Sequence, residues 1–106
     1  MADIGKITIT SEWAKVEDLI KAQVDDQSSF AFDTDKTYTI QTDCEQHAPF
    51  GARFSISATK PTEPDAGAYL TDDFPGAIYN PKSGVYLWVK IRGNTTSVKV
   101  FVSENA

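Results

Sequence analysis

One cysteine, one histidine and no apolar run long enough for a membrane span: the 106-residue chain is marked first by what it lacks. A lone Cys44 excludes an internal disulfide and fits a reducing compartment. A lone His47 removes most nucleophile-plus-imidazole machinery. Within Asp43-Cys-Glu-Gln-His47 the two residues make half of a zinc set, and there is no other His or Cys to complete it. Three residues apart and without an oriented third member, they also make a poor catalytic pair. The segment reads as a polar loop, so neither metal nor cofactor is expected. No stretch approaches the roughly 20 apolar residues of a spanning helix, and no membrane partner is expected. Met1-Ala-Asp-Ile-Gly-Lys6 lacks the charged and apolar regions of a signal peptide. Synthesis in a cytoplasm, without export by that route, is the expectation.

Positive charge is scarce too, with 10 Lys and Arg against 15 Asp and Glu and a net charge of −5. Such a chain has little to offer a phosphate backbone, which removes nucleic acid from the expected partners. The acids gather at Asp25-Asp26, Asp33/Asp35, Asp43/Glu45 and Asp72-Asp73. None of these matches a calcium loop, with its alternating oxygen ligands, central glycine and distal glutamate. They read as solvated loop charge, with a weak calcium site as the alternative. A glycosidase pair of carboxylates would need a cleft, which so small a chain rarely builds. Residues 1–70 hold 12 acidic and 6 basic side chains, and residues 71–106 hold 3 and 4. That polarity permits copies to pack against one another.

What the chain does have is β alternation. Its 41% hydrophobic and 24% charged content suits one globular domain over 1–106. Strands are expected at Lys6–Thr10, Lys36–Thr42, Ala52–Ala58, Ala68–Thr71 and Ala77–Tyr79. The inward residues are Ile7 and Ile9, Tyr38 and Ile40, and Ala52, Phe54, Ile56 and Ala58. Residues 13–20 read as a strand or short irregular segment because their surroundings are β, with a helical turn near 17–22 as the alternative. The connections Asp25–Asp35, Asp43–Gly51, Thr59–Gly67 and Asp72–Gly76 are polar and rich in breakers. Seven or eight short strands predict an all-β fold, a small antiparallel, jelly-roll-like β-sandwich.

Residues 85–104 carry the sharpest pattern. Two alternating runs flank Gly93-Asn94-Thr95-Thr96 and predict a β-hairpin with Arg92 opposite Ser97. One face then pairs Ile91 with Val98, Val89 with Val100 and Leu87 with Val102. The other pairs Lys90 with Lys99 and Trp88 with Phe101, beside Tyr86. Facing lysines repel and exposed aromatics form a patch that soluble monomers avoid. Tyr86, Trp88, Lys90, Lys99 and Phe101 are therefore the candidate interface, with a covering layer of the same domain as the bland alternative. A sugar-stacking platform using Tyr86 and Trp88 is the reading from another functional class.

Five segments also carry a resemblance. They are Trp13-Ala-Lys-Val-Glu-Asp-Leu-Ile20, Lys36-Thr-Tyr-Thr-Ile-Gln41, Pro61…Pro64…Gly67-Ala-Tyr-Leu70, Tyr86-Leu-Trp-Val-Lys-Ile91 and Val98-Lys-Val-Phe-Val-Ser-Glu104. In this order the chain resembles the small β-sandwich accessory proteins of tailed-bacteriophage virions, the head-fibre and capsid-decoration type. The resemblance implies a non-enzymatic structural protein of the virion, made in the bacterial host cytoplasm. It implies self-association, in such proteins often as a trimer, contact with other virion proteins and no catalytic residues. The Asp-rich loops match nothing in that pattern.

Overall fold

Among the described residues, alternation with period two is realised as eight strands in two antiparallel sheets. The computed structural model describes residues 2–42, 51–62, 68–70, 76–92 and 98–105. The strands are β1 (Ala2–Ile9), β2 (Ala14–Lys15), β3 (Tyr38–Thr42), β4 (Gly51–Ser57), β5 (Ala68–Leu70), β6 (Gly76–Tyr79), β7 (Tyr86–Arg92) and β8 (Val98–Glu104). One sheet runs β1-β8-β3-β6 and the other β2-β7-β4-β5. This is the strand order of a jelly roll, with first paired to last, second to seventh, third to sixth and fourth to fifth. The small antiparallel sandwich expected from the sequence is the observed fold.

The predicted hairpin is not there. β7 pairs with β2 and β4, and β8 pairs with β1 and β3, so the two strands belong to different sheets. The predicted turn at 93–96, with Ser97, lies outside the described residues. Alternation reports which side chains point inward, and that part held. Leu87, Val89, Ile91, Val100 and Val102 are all buried in one core with Ile7, Ile9, Tyr38 and Ile40. Alternation does not report which strand lies alongside. In a jelly roll the seventh and eighth strands face each other across the sandwich, and this arrangement satisfies the same pattern.

Residues 16–23 form a helix, α1 (Val16–Gln23), in place of the expected strand or short irregular segment and in line with the alternative of a helical turn near 17–22. Only Ala14–Lys15 is strand, pairing with Val89 and Trp88. Val16 and Ile20 are one turn apart and fully buried, and Leu19 and Val24 pack beside them. Eight residues are too few for an independent helix, so burial of this stripe is what holds it. Its N-cap is Lys15, which makes no side-chain cap. Glu17 and Asp18 in the first turn and Lys21 in the last complement the helix dipole instead.

At the C-terminal end of α1, Val24 packs close to β1. The register of β1 slips between Asp3 and Gly5. Gly5 has φ +154°, and a Cβ there would lie 2.8 Å from both γ-carbons of Val24. Only glycine allows this approach. In β4, Ala52 is buried and Phe54 packs on the core as expected, whereas Ile56 is 60% exposed and Ala58 is exposed too. The inward face of β4 thus stays covered only over its first residues. The segment 25–35 is also more than a polar connection. Phe32 packs edge-on against Phe30, Tyr38 and Tyr79 at 4.8–5.0 Å. Asp33 accepts from Asp35 N through Oδ1 at 2.8 Å, and Asp33 N donates to the Tyr38 hydroxyl at 2.9 Å. The Asp33–Lys36 stretch is thereby a turn that seats the aromatic cluster.

Candidate functional site

The five candidate interface residues do not share a face. Tyr86, Trp88 and Lys90 lie on the outer side of the β2-β7-β4-β5 sheet, opposite Ser57, Ser55 and Arg53 of β4. Lys99 and Phe101 lie on the outer side of the other sheet, opposite Thr8 and Lys6 of β1. Lys90 therefore never meets Lys99, and the repulsion expected between facing lysines does not arise.

Nor is Trp88 an open platform. It is 9% exposed, and its indole Nε1 donates to the Ser57 carbonyl at 3.0 Å. Trp13 is 7% exposed, with the Lys90 ammonium 6.0 Å from its ring centroid. Much of this aromatic surface is covered by its own domain, as the bland alternative held. Tyr86 differs, being 37% exposed. The Lys15 ammonium stands 3.8 Å from its ring centroid and 5.6 Å from that of Trp88. Such cation–π contacts contribute roughly 0.5–1 kcal/mol each at exposed sites, enough to hold the Tyr86 ring in place.

Two other features emerge only from the structure. The first is the contrast between the edges of the β1-β8-β3-β6 sheet. On the β1 edge, the Gln23 side chain accepts from Thr8 N at 2.7 Å and donates from Nε2 to Thr8 O at 2.9 Å. One amide thus takes the place of a neighbouring strand. On the β6 edge, among the described residues, β6 pairs with β3 alone. β6 reads Gly-Ala-Ile-Tyr and has no charged residue, and its Ile78 is 69% exposed.

The second is a groove of about 160 Å³ between the start of α1, residues 31–34, the end of β6 and the segment leading into β7. Glu17, Phe32, Thr34, Tyr79, Ser83 and Tyr86 line it. The turn that closes it is carried by Gly84, whose φ of +85° suits glycine, and by a bond from Val85 N to Lys82 O at 3.4 Å. Burial raises the Tyr79 hydroxyl above its ordinary pKa of 10.0, and the Glu17 charge adds to the effect. No sequence pattern points to this groove, because its residues come from four separate segments.

Cys44, His47 and the acids at 43, 45, 72 and 73 lie outside the described residues. Among the described residues no three His, Cys, Asp or Glu side chains converge as a metal set would. Likewise, no helix there is long and apolar enough to cross a membrane. Comparison with protein-family models, with curated proteins and with solved structures finds no match to this chain. The class that stands is an architectural one, a small antiparallel β-sandwich whose eight described strands run in jelly-roll order.

Proposed function

We propose that the chain is a non-enzymatic structural protein, a self-associating jelly roll that docks on a larger assembly. The observation that carries this reading is the β6 edge, uncharged, unpaired among the described residues and bearing an isoleucine that is 69% exposed. Sheet edges of soluble proteins are usually guarded by charge, proline or a covering element, because an open one templates pairing with another chain. The β1 edge is guarded in that way by Gln23. β6 is short, at four residues with Pro75 before it and Pro81 soon after, which limits any pairing to a few bonds. Its lack of charge and the exposure of Ile78 still fit contact with a second copy, antiparallel and about a two-fold axis. The assembly we propose is a tailed-phage particle, with the chain beside other virion proteins, and the sequence resemblance is what supports that choice.

Light scattering on the purified chain across a range of concentrations tests self-association. The native chain should exceed the monomer mass, and Ile78→Lys should return it to a monomer that still melts cooperatively, with any loss in melting temperature confined to the concentration-dependent part. A monomer at every concentration overturns the reading. A three-copy mass that survives Ile78→Lys keeps self-association and moves it to another surface, since edge-to-edge pairing gives closed dimers.

A further inference from the structure

We propose that the groove beside Tyr86 is a binding site for a single neutral sugar ring, such as the terminal residue of a glycan. This goes beyond structural docking and does not depend on it. Size is the first consideration. About 160 Å³ is below the ~300–1,000 Å³ of sites for drug-sized ligands, and suits one six-membered ring.

Charge is the second. Glu17 lines the groove, and its carboxylate already disfavours the tyrosinate of Tyr79. A bound anion would meet the same repulsion. Lys82 lines the groove as well, so its lining carries one charge of each sign and no net charge to select an ion. What remains favourable is an uncharged ligand with many hydroxyls.

Chemistry is the third. A carboxylate accepts hydrogen bonds from ligand hydroxyls, and the Thr34, Ser83 and Tyr79 hydroxyls donate or accept as required. An aromatic ring offers a flat apolar surface to the C–H side of a sugar. Tyr86 supplies that ring. Lys15, which is not among the lining residues, stands 3.8 Å from its centroid, so the ring is held in place before a ligand arrives, and less ordering remains for binding. Trp88, bonded to Ser57 and nearly buried, is not part of the site.

The test is titration of the isotope-labelled chain with the methyl glycosides of glucose, galactose, mannose and N-acetylglucosamine, followed by amide chemical shifts. Inorganic phosphate and choline serve as the anionic and cationic probes. At least one glycoside should give saturable shifts at Glu17, Thr34 and Ser83. Tyr86→Ala should weaken that binding about tenfold, as loss of one stacking surface does. Ser83→Trp, at an exposed turn position, should block it, with an unchanged amide spectrum away from the groove showing that the variant folds. Saturation by phosphate or choline in place of the sugars, or no glycoside shift at those residues, overturns the proposal. So does binding that survives both variants. Repeating the titration on Ile78→Lys separates the two ideas, since sugar binding should persist in the monomer.

Discussion

The two edges of one sheet teach more about this chain than either does alone. β1 and β6 flank the same four-stranded sheet, and each presents backbone groups that a neighbour could pair. At β1 the chain spends a helix on the problem. Val16 and Ile20 anchor α1 in the core, Val24 packs on Gly5, and Gln23 bridges both backbone groups of Thr8. Among the described residues nothing comparable stands over β6. Its four residues carry no charge and expose Ile78, and the guards it has are its shortness and the prolines near either end, Pro75 and Pro81. One edge is closed by design of the sequence, and the asymmetry is what makes the other a candidate contact.

The guarded edge can be broken at its tightest point. Gly5→Ala would place a methyl group 2.8 Å from two carbons of Val24 at a φ that L-residues rarely adopt. The combined overpacking and backbone strain should cost about 3–4 kcal/mol, read as a lowered denaturant midpoint. A loss below about 1 kcal/mol would show that the close approach of α1 to β1 is not fixed by this contact.

Removing the helix's anchor comes next. Ile20→Ala deletes a fully buried side chain and should cost about 3 kcal/mol, in the usual range for large-to-small core changes. It should also raise hydrogen exchange at Thr8, because Gln23 would no longer be held over the edge. Stability loss with Thr8 protection intact would uncouple the helix from the strand it covers.

A third change converts one edge into a likeness of the other. Gln23→Ala removes both bonds to Thr8 while leaving the apolar stripe of α1 in place. Water can replace the bonds in part, so about 1 kcal/mol is expected. Association should rise, as β1 becomes able to pair. If the mass distribution of Gln23→Ala matches that of the native chain, the side-chain bridge does not act as a guard.

Much of this architecture is legible in the sequence, and the failures have definite causes. The inward residues of β1, β3, β7 and β8 follow from period-two alternation, which depends only on local geometry. The partner of each strand does not, because the jelly roll pairs first with last and second with seventh. Reading 85–104 as a hairpin assigned a local partner to strands whose partners are remote. At residues 13–24 two periods overlap. Trp13 and Lys15 follow the outer side of a strand, whereas Val16, Ile20 and Val24 follow a helix, and Val16 serves both patterns. The split of the candidate interface follows directly from the pairing error. Lys99 and Phe101 went to the other sheet with β8, while Tyr86 stayed exposed as expected. The Phe32 cluster was visible as two phenylalanines inside an acidic stretch. Gln23 carries no such sign, since an exposed helical glutamine looks like any other.

The smallest effect lies beside the open edge and appears in alkali. Tyr79, on β6, has its hydroxyl pKa raised from 10.0 by burial first and then by the charges of Glu17 and Tyr38. Lys36 is raised from 10.5, first by its hydrogen bond to Glu104 at 3.1 Å and then by that carboxylate's charge. In both cases the folded protein holds its proton to higher pH than the unfolded chain. Linkage then makes the associated stability complete below the unfolded value and lost as pH rises through the folded one. The decline should therefore begin near pH 10 for Tyr79 and slightly higher for Lys36. Tyr79→Phe removes the first contribution and should flatten the onset of the decline, while Lys36→Met should affect only its later part. Ultraviolet titration of the folded chain provides the direct check. If Tyr79 ionises at or below the ordinary tyrosine value, its hydroxyl is neither buried nor close to Glu17, and the groove does not have the polarity described.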